Sequence, residues 1–169
     1  MTRVSKSFNL EDPNSFKRKL FKWSGNSEIS VFLNSNNYES EMNEYEVILA
    51  VDLHSETPYT KQNSLTKLDD YINRTKDWIF GYLSYDLKNE LEKLESKNID
   101  SFVLPNLFFF QPKKIWLVSK NSVEALYLDG SQIQEDWIQI NKIVPLNEFS
   151  NSKKIKLTKR LSENQYQNK

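Results

Sequence analysis

The residues that could do chemistry are few and scattered along the chain. His54 is the only histidine, so a His-based triad would have a single possible base and no second imidazole could join a metal cluster. It follows "AVDL", at what looks like the end of a strand, and reads as an ordinary loop histidine. There are no cysteines, which removes disulfides, thiolate metal sites and thiol nucleophiles. Gly25, Gly81 and Gly130 are isolated from one another, so no glycine-rich loop is available to cradle a phosphate. Asp69-Asp70 and Glu90, Glu92 and Glu95 fall in helix-like segments, where Lys67, Lys93 and Lys97 would pair with them on solvated faces. The stretch "LFFFQPKKIWLV" has the ingredients of a stacking platform for single-stranded nucleic acid. Successive strand residues point to opposite faces, however, so at least one of its phenylalanines must be core-directed. The residues alone show a folded domain without visible catalytic equipment.

Composition bounds the partners. The chain has 169 residues, enough for one domain with a real core, and 13% of them are aromatic. Lys+Arg and Asp+Glu both number 23, so the formal charge is zero. A neutral chain of mixed sign does not bind nucleic acid through bulk electrostatics. The first ten residues, "MTRVSKSFNL", contain no signal-peptide core. No stretch reaches the roughly 20 apolar residues that a membrane span needs. A soluble, cytoplasmic domain is expected.

The elements that must position these residues are legible from periodicity. Residues 4–10 alternate as a first strand, and a helix follows with Asp12 as N-cap, Pro13 at its first position, Phe16, Leu20 and Trp23 on one face, and Gly25 at its stop. "EISVFLNS" and "YEVILAVDL" are apolar through their centres, which predicts two central strands. The polar segment between them is a candidate binding loop. Residues 62–77 read as a helix with Leu65, Leu68 and Ile72 on its buried face. Trp78 to Leu83 form another strand, and a helical run at 88–94 follows. Three strands at 107–110, 114–119 and 123–128 are predicted next, the last two joined by a hairpin at "KNS", and then a helix capped by Ser131. This order does not alternate regularly enough for a doubly wound parallel sheet. It predicts an α+β fold, a mainly antiparallel sheet flanked by helices.

Several stretches together resemble a known family. "FGYLSYDLKNELEKL", followed about ten residues later by "LPNLFFFQPKKIWLV", resembles the N-terminal domain of the chorismate-utilising enzymes, component I of aminodeoxychorismate (para-aminobenzoate) synthase and of anthranilate synthase. There a strand carrying Gly-Tyr-x-x-Tyr-Asp leads into a helix, and a Pro- and Phe-rich segment opens a strand hairpin. "VFLNS" looks like the family's LLES/LLHS strand, "YEVILAVDL" like the strand after its binding loop, and "KRLSENQYQNK" like the opening of the second domain. The resemblance covers nearly the whole chain in order and spacing, and "GYLSYDLKNELE" resembles the aminodeoxychorismate branch best.

The resemblance implies a division at residues 1–150, the N-terminal domain, and 151–169, a linker and the start of a truncated chorismate-binding catalytic domain. It implies no catalytic residue in this segment, the acid/base groups and the Mg²⁺ site lying in the missing domain. The chain alone is then inactive, and its parent aminates chorismate with glutamine-derived ammonia on the way to para-aminobenzoate and folate. The implied partners are the chain's own C-terminal chorismate-binding domain, a glutamine amidotransferase subunit and L-tryptophan. The matching positions of the tryptophan pocket are Ser35, Met42, Asn43 and Tyr45. The chain departs from the pattern at Glu44, where the family commonly has an arginine before the aromatic. The other readings are the anthranilate branch, where the domain carries feedback control by tryptophan, and a free-standing amino-acid-binding or interaction domain. Gly81 is expected to be a packing glycine that lets another backbone approach, with Asp86 capping the helix beside it. A segment without its second domain is also expected to expose an apolar face.

Overall fold

A computed structural model describes residues 2–36, 38, 44–60, 62–92, 94, 104–145 and 158–168. Strands β1 (Val4–Asn9), β2 (Ser30–Asn34), β3 (Val47–Glu56), β4 (Phe80–Leu83), β5 (Leu107–Val118) and β6 (Ser122–Tyr127) form one sheet. Its order is β1-β6-β5-β3-β2, with β4 also on β5, and every pairing is antiparallel. The helices are α1 (Pro13–Ser24), α2 (Ser64–Thr75), α3 (Lys88–Glu92), α4 (Ile133–Lys142) and α5 (Glu163–Gln167). The fold is α+β with a mainly antiparallel sheet, as the pattern predicted.

Local chemistry sets the helix ends. The Asp12 carboxylate accepts from the Ser15 backbone N–H at 2.9 Å, and Pro13 spends a position whose N–H would have no intrahelical partner. Gly25 follows the last turn of α1 with φ of −67°, so the stop does not use glycine's access to left-handed backbone. The cap before α4 is Asp129, which accepts from the Ser131 N–H at 3.0 Å, and not Ser131 itself. Asp86 is not a cap either. It lies within a single 3₁₀ turn, Tyr85–Leu87, that runs into α3.

The two faces of the sheet are covered differently. On one face Phe16, Leu20 and Trp23 of α1 and Ile133 and Ile140 of α4 pack on Leu49, Trp116 and Tyr127. On the other, Ala50, Phe80, Phe110, Ile115 and Leu117 form a second cluster, to which no described helix contributes a side chain. Of the "FFF" run, Phe110 is fully buried there and Phe108 packs beside it, so the core reading of those aromatics holds.

Three elements differ from their predictions. The runs at 107–110 and 114–119 join into one twelve-residue strand through Pro112. The Pro112 carbonyl accepts from Arg3 on the side away from β3, and a residue's N–H and C=O share one side of an extended strand. The N–H that proline lacks would therefore have pointed away from β3 and costs no bond to it. β2 is an edge strand, not a central one: Val31 and Phe32 pack on opposite faces, and apolar residues on both faces do not require in-plane neighbours on both sides. Finally, α2 buries Tyr71 and Ser64 while Leu65 and Ile72 are exposed. The Tyr71 hydroxyl donates to the Ser55 carbonyl and accepts from the Gln111 N–H, both at 2.9 Å, and these bonds rotate the helix away from its aliphatic stripe.

β3 carries one extra residue. Leu53 stands opposite Pro112 and Ser55 opposite Gln111, so His54 is the bulged position inside the strand, exposed, and not a loop residue beyond it. Asp52, just before, has φ of 64°.

Candidate functional site

The residues matched to the tryptophan pocket fall where β2 leaves the sheet and β3 enters it. Ser35, just past β2, donates its backbone N–H to the Glu46 carbonyl at 2.9 Å, and its own carbonyl accepts from the Tyr38 N–H at 2.9 Å. Tyr45, next to Glu46, packs against the apolar cluster of the helix-free face. The structure therefore brings Ser35 and Tyr45 to one end of the sheet. Met42 and Asn43 lie outside the described residues. Burial and the neighbouring Glu44 carboxylate push the Tyr45 phenol above its ordinary pKa, which keeps it a neutral donor at physiological pH. The Glu46 carboxylate is taken by Lys17 of α1 at 3.0 Å. Chemically, this corner offers a hydroxyl at Ser35, a phenol at Tyr45 and an acidic residue at Glu44. It can accept hydrogen bonds from an ammonium group and stack an aromatic ring. Among its described residues it holds no nucleophile-and-base pair.

Gly81 behaves as expected. A Cβ there would run into the Phe108 carbonyl oxygen and lie 2.6 Å from the Phe109 Cα, so only glycine lets β4 sit against β5. Glu90, expected on a solvated face, instead accepts from both the backbone N–H and the hydroxyl of Ser64 at the start of α2, and from Asn106 at 3.3 Å. Burial opposes ionisation of Glu90, but the bonds from Ser64 and Asn106 outweigh it and hold its pKa below the usual carboxylate range. It caps a neighbouring helix whose own N-cap, Asn63, forms no side-chain cap.

Two polar constellations were not visible to sequence reasoning. In the first, Arg3 fills a gap in the sheet. β3 occupies one side of β5, so β6 and β4 share the other side end to end and leave residues 111–113 between them. Arg3 donates there to the Pro112 carbonyl at 2.7 Å and the Leu126 carbonyl at 3.2 Å. Its guanidinium is paired with Asp77 at 2.9 Å, both side chains being only 6% exposed. Asp77 also accepts from Gln111 at 2.7 Å. Burial alone would raise the Asp77 pKa; the bonds from Arg3, Gln111 and the Trp78 N–H hold it below the ordinary carboxylate value.

In the second, Lys114 projects from the middle of β5 into the helix-covered layer. It pairs with Asp136 of α4 at 2.9 Å and with Asp52 at 3.4 Å, and its ammonium lies over the Trp23 and Tyr127 rings at 5.7 and 5.6 Å. The Tyr127 hydroxyl donates to Asp136 at 2.8 Å. Burial, and then the Asp136 charge, push the Tyr127 phenol far above its ordinary pKa, so it stays protonated. Two carboxylates, one ammonium and a neutral phenol satisfy one another and tie α4 to the bulge of β3. The available signal was a lysine at a core-facing position of an otherwise apolar strand. Elsewhere on the helix-covered side, a shallow cleft of about 340 Å³ between α1 and α4 is lined by Asp12, Phe16, Lys19 and Trp137, and none of the matched pocket residues lines it.

Among the described residues no group of three or more His, Asp or Glu side chains is arranged to hold a metal ion, and no helix is long and apolar enough to cross a membrane. No protein-family model matches the chain, and no curated protein matches it.

Proposed function

We propose that the chain is the N-terminal, non-catalytic domain of an aminodeoxychorismate synthase component I. What carries this reading is the apolar margin of the helix-free face, where exposed Leu33 and Tyr82 flank the buried cluster of Ala50, Phe80, Phe110, Ile115 and Leu117 and offer a docking surface to a second domain. The ordered motifs support it: the β4 strand with its packing glycine, the turn into α3, and the long β5 that opens the hairpin to β6. In this reading the chorismate-binding domain packs on that face, holds Mg²⁺ and carries the amination chemistry, and a glutamine amidotransferase subunit supplies ammonia. The corner of Ser35 and Tyr45 forms one wall of a tryptophan pocket, with Glu44 turning its local charge negative.

The test is reconstitution. The chain is co-expressed with the chorismate-binding domain of a component I enzyme, and association and chorismate amination are measured. Association that is lost on Tyr82→Glu, at the exposed margin of that face, with amination only in the complex, is the expected result. Failure to associate, or association indifferent to Tyr82→Glu, overturns the reading. Calorimetric titration with L-tryptophan, on the chain and on Ser35→Ala, tests the pocket: saturable binding weakened by the substitution is expected.

A further inference from the structure

Sheets in monomeric proteins blunt their edges, because an unpaired row of N–H and C=O groups is a template for another strand. Two strand edges here are blunted. β1 carries Lys6, whose ammonium donates to Gln134 at 2.7 Å, and β4 is only four residues long. β2 is different. Its sequence, Ser30-Val31-Phe32-Leu33-Asn34, contains no charge and no proline, and it pairs with β3 without a bulge. Among the described residues it has no neighbour on its outer side.

The register fixes which groups are free. Asp52 donates to the Ile29 carbonyl and Ser35 to the Glu46 carbonyl, both in line with the β2–β3 pairing. Backbone direction alternates along a strand, so Val31 and Leu33 also bond toward β3, and Ser30, Phe32 and Asn34 turn their N–H and C=O outward. Apolar side chains flank this edge on both faces. Leu33 is 51% exposed on the helix-free side; on the other, Phe21 of α1 is 61% exposed and meets Phe32 edge-on at 5.1 Å.

We infer that β2 is a self-pairing edge, through which two copies of the chain join antiparallel into one continuous sheet. With Phe32 opposite Phe32 across the two-fold axis, Ser30 faces Asn34 and Val31 faces Leu33. Every outward N–H and C=O of the strand then meets a partner group. Continuing outward, Ile29 faces Ser35 and Glu28 faces Asn36, so no like charges oppose one another anywhere along the seam. The interface is isologous, which closes at the dimer and does not propagate. This inference does not rest on the reading of the helix-free face.

Sedimentation equilibrium of the whole 169-residue chain over a dilution series tests it. The expected result is a concentration-dependent monomer–dimer equilibrium. Asn34→Pro removes an N–H that points outward, so the β3 ladder keeps its bonds while the seam is blocked, and the variant should be monomeric throughout. Leu33→Lys leaves the backbone intact at an exposed position and should weaken the dimer by roughly tenfold or more. It decides the matter if the proline variant does not fold. A wild-type chain that is monomeric across the series, or a dimer that both variants leave intact, overturns the inference.

Discussion

The two faces of one sheet have been finished in different ways. The helix-covered face is closed by side chains of α1 and α4, with four aromatic rings, Phe8, Phe16, Trp23 and Tyr127, packed around the Trp116 ring. It even absorbs charge, because Lys114 reaches two carboxylates and two rings without leaving the layer. The other face is just as apolar at its centre but has no described helix over it, and its margin, at Leu33 and Tyr82, is exposed. The difference teaches that apolar patterning along a strand specifies burial capacity and not what covers it. Stability should therefore reside in the buried centres, most of all under the helices, and association at the exposed margin of the second face and on its edge.

Substitutions can break that contrast, and the largest effect is expected at its helix-covered centre. Trp116→Ala removes a fully buried ring and should cost about 3–5 kcal/mol in chemical denaturation. An effect below about 1 kcal/mol would show that the helix layer is not where the stability lies. Arg3→Ala leaves Asp77 buried without its cation and opens the gap beside β5, for a loss of roughly 3 kcal/mol. Because the folded-state pKa of Asp77 is depressed, its contribution is full above the ordinary carboxylate range and disappears as pH falls through the lower folded value. Acid unfolding of Arg3→Ala should lose that part of its pH dependence, while the wild type keeps it.

A smaller effect is expected at Gly81. The side chain of Gly81→Ala would press on the β5 backbone, which cannot swing aside as a side chain does, for a cost of roughly 1–3 kcal/mol and faster amide exchange confined to β4. Asp12→Ala, at the N-cap of α1, should cost about 1 kcal/mol in the same denaturation assay. The contrast sharpens at the low end. Leu33→Ser on the helix-free side should change monomer stability by no more than about 0.5 kcal/mol. A large loss there would mean that this margin is covered in the monomer.

Much of the architecture was legible because local rules carried it. Asp12-Pro13 marks the start of α1, Phe16, Leu20 and Trp23 mark its buried face, and "KNS" marks the β5–β6 turn, whose ends meet through Ser119 and Ser122 at 2.9 Å. The candidate pocket was legible only in part. Ser35 and Tyr45 lie at one end of the sheet because β2 and β3 pair, yet nothing local to either residue states that pairing. Glu90 shows the limit most clearly. Its helical spacing beside Lys93 suggested solvent, while its actual partner, Ser64, is set by the docking of two helices separated in the chain.

By itself, then, the sequence determined the capped start of α1, the strands with their apolar runs, the antiparallel α+β class and the absence of thiol and glycine-loop chemistry. These follow from backbone sterics, side-chain periodicity and residue inventory, all of which act within a few positions. Only the tertiary structure decided that β2 lies at an edge, that Pro112 sits inside a continuous strand, and that α2 buries Tyr71 in place of Leu65 and Ile72. It alone placed Arg3 against Asp77 and Lys114 between Asp52 and Asp136. Those outcomes depend on which buried donors and acceptors find partners across long stretches of chain, and desolvation makes such pairing compulsory only once the layers have packed.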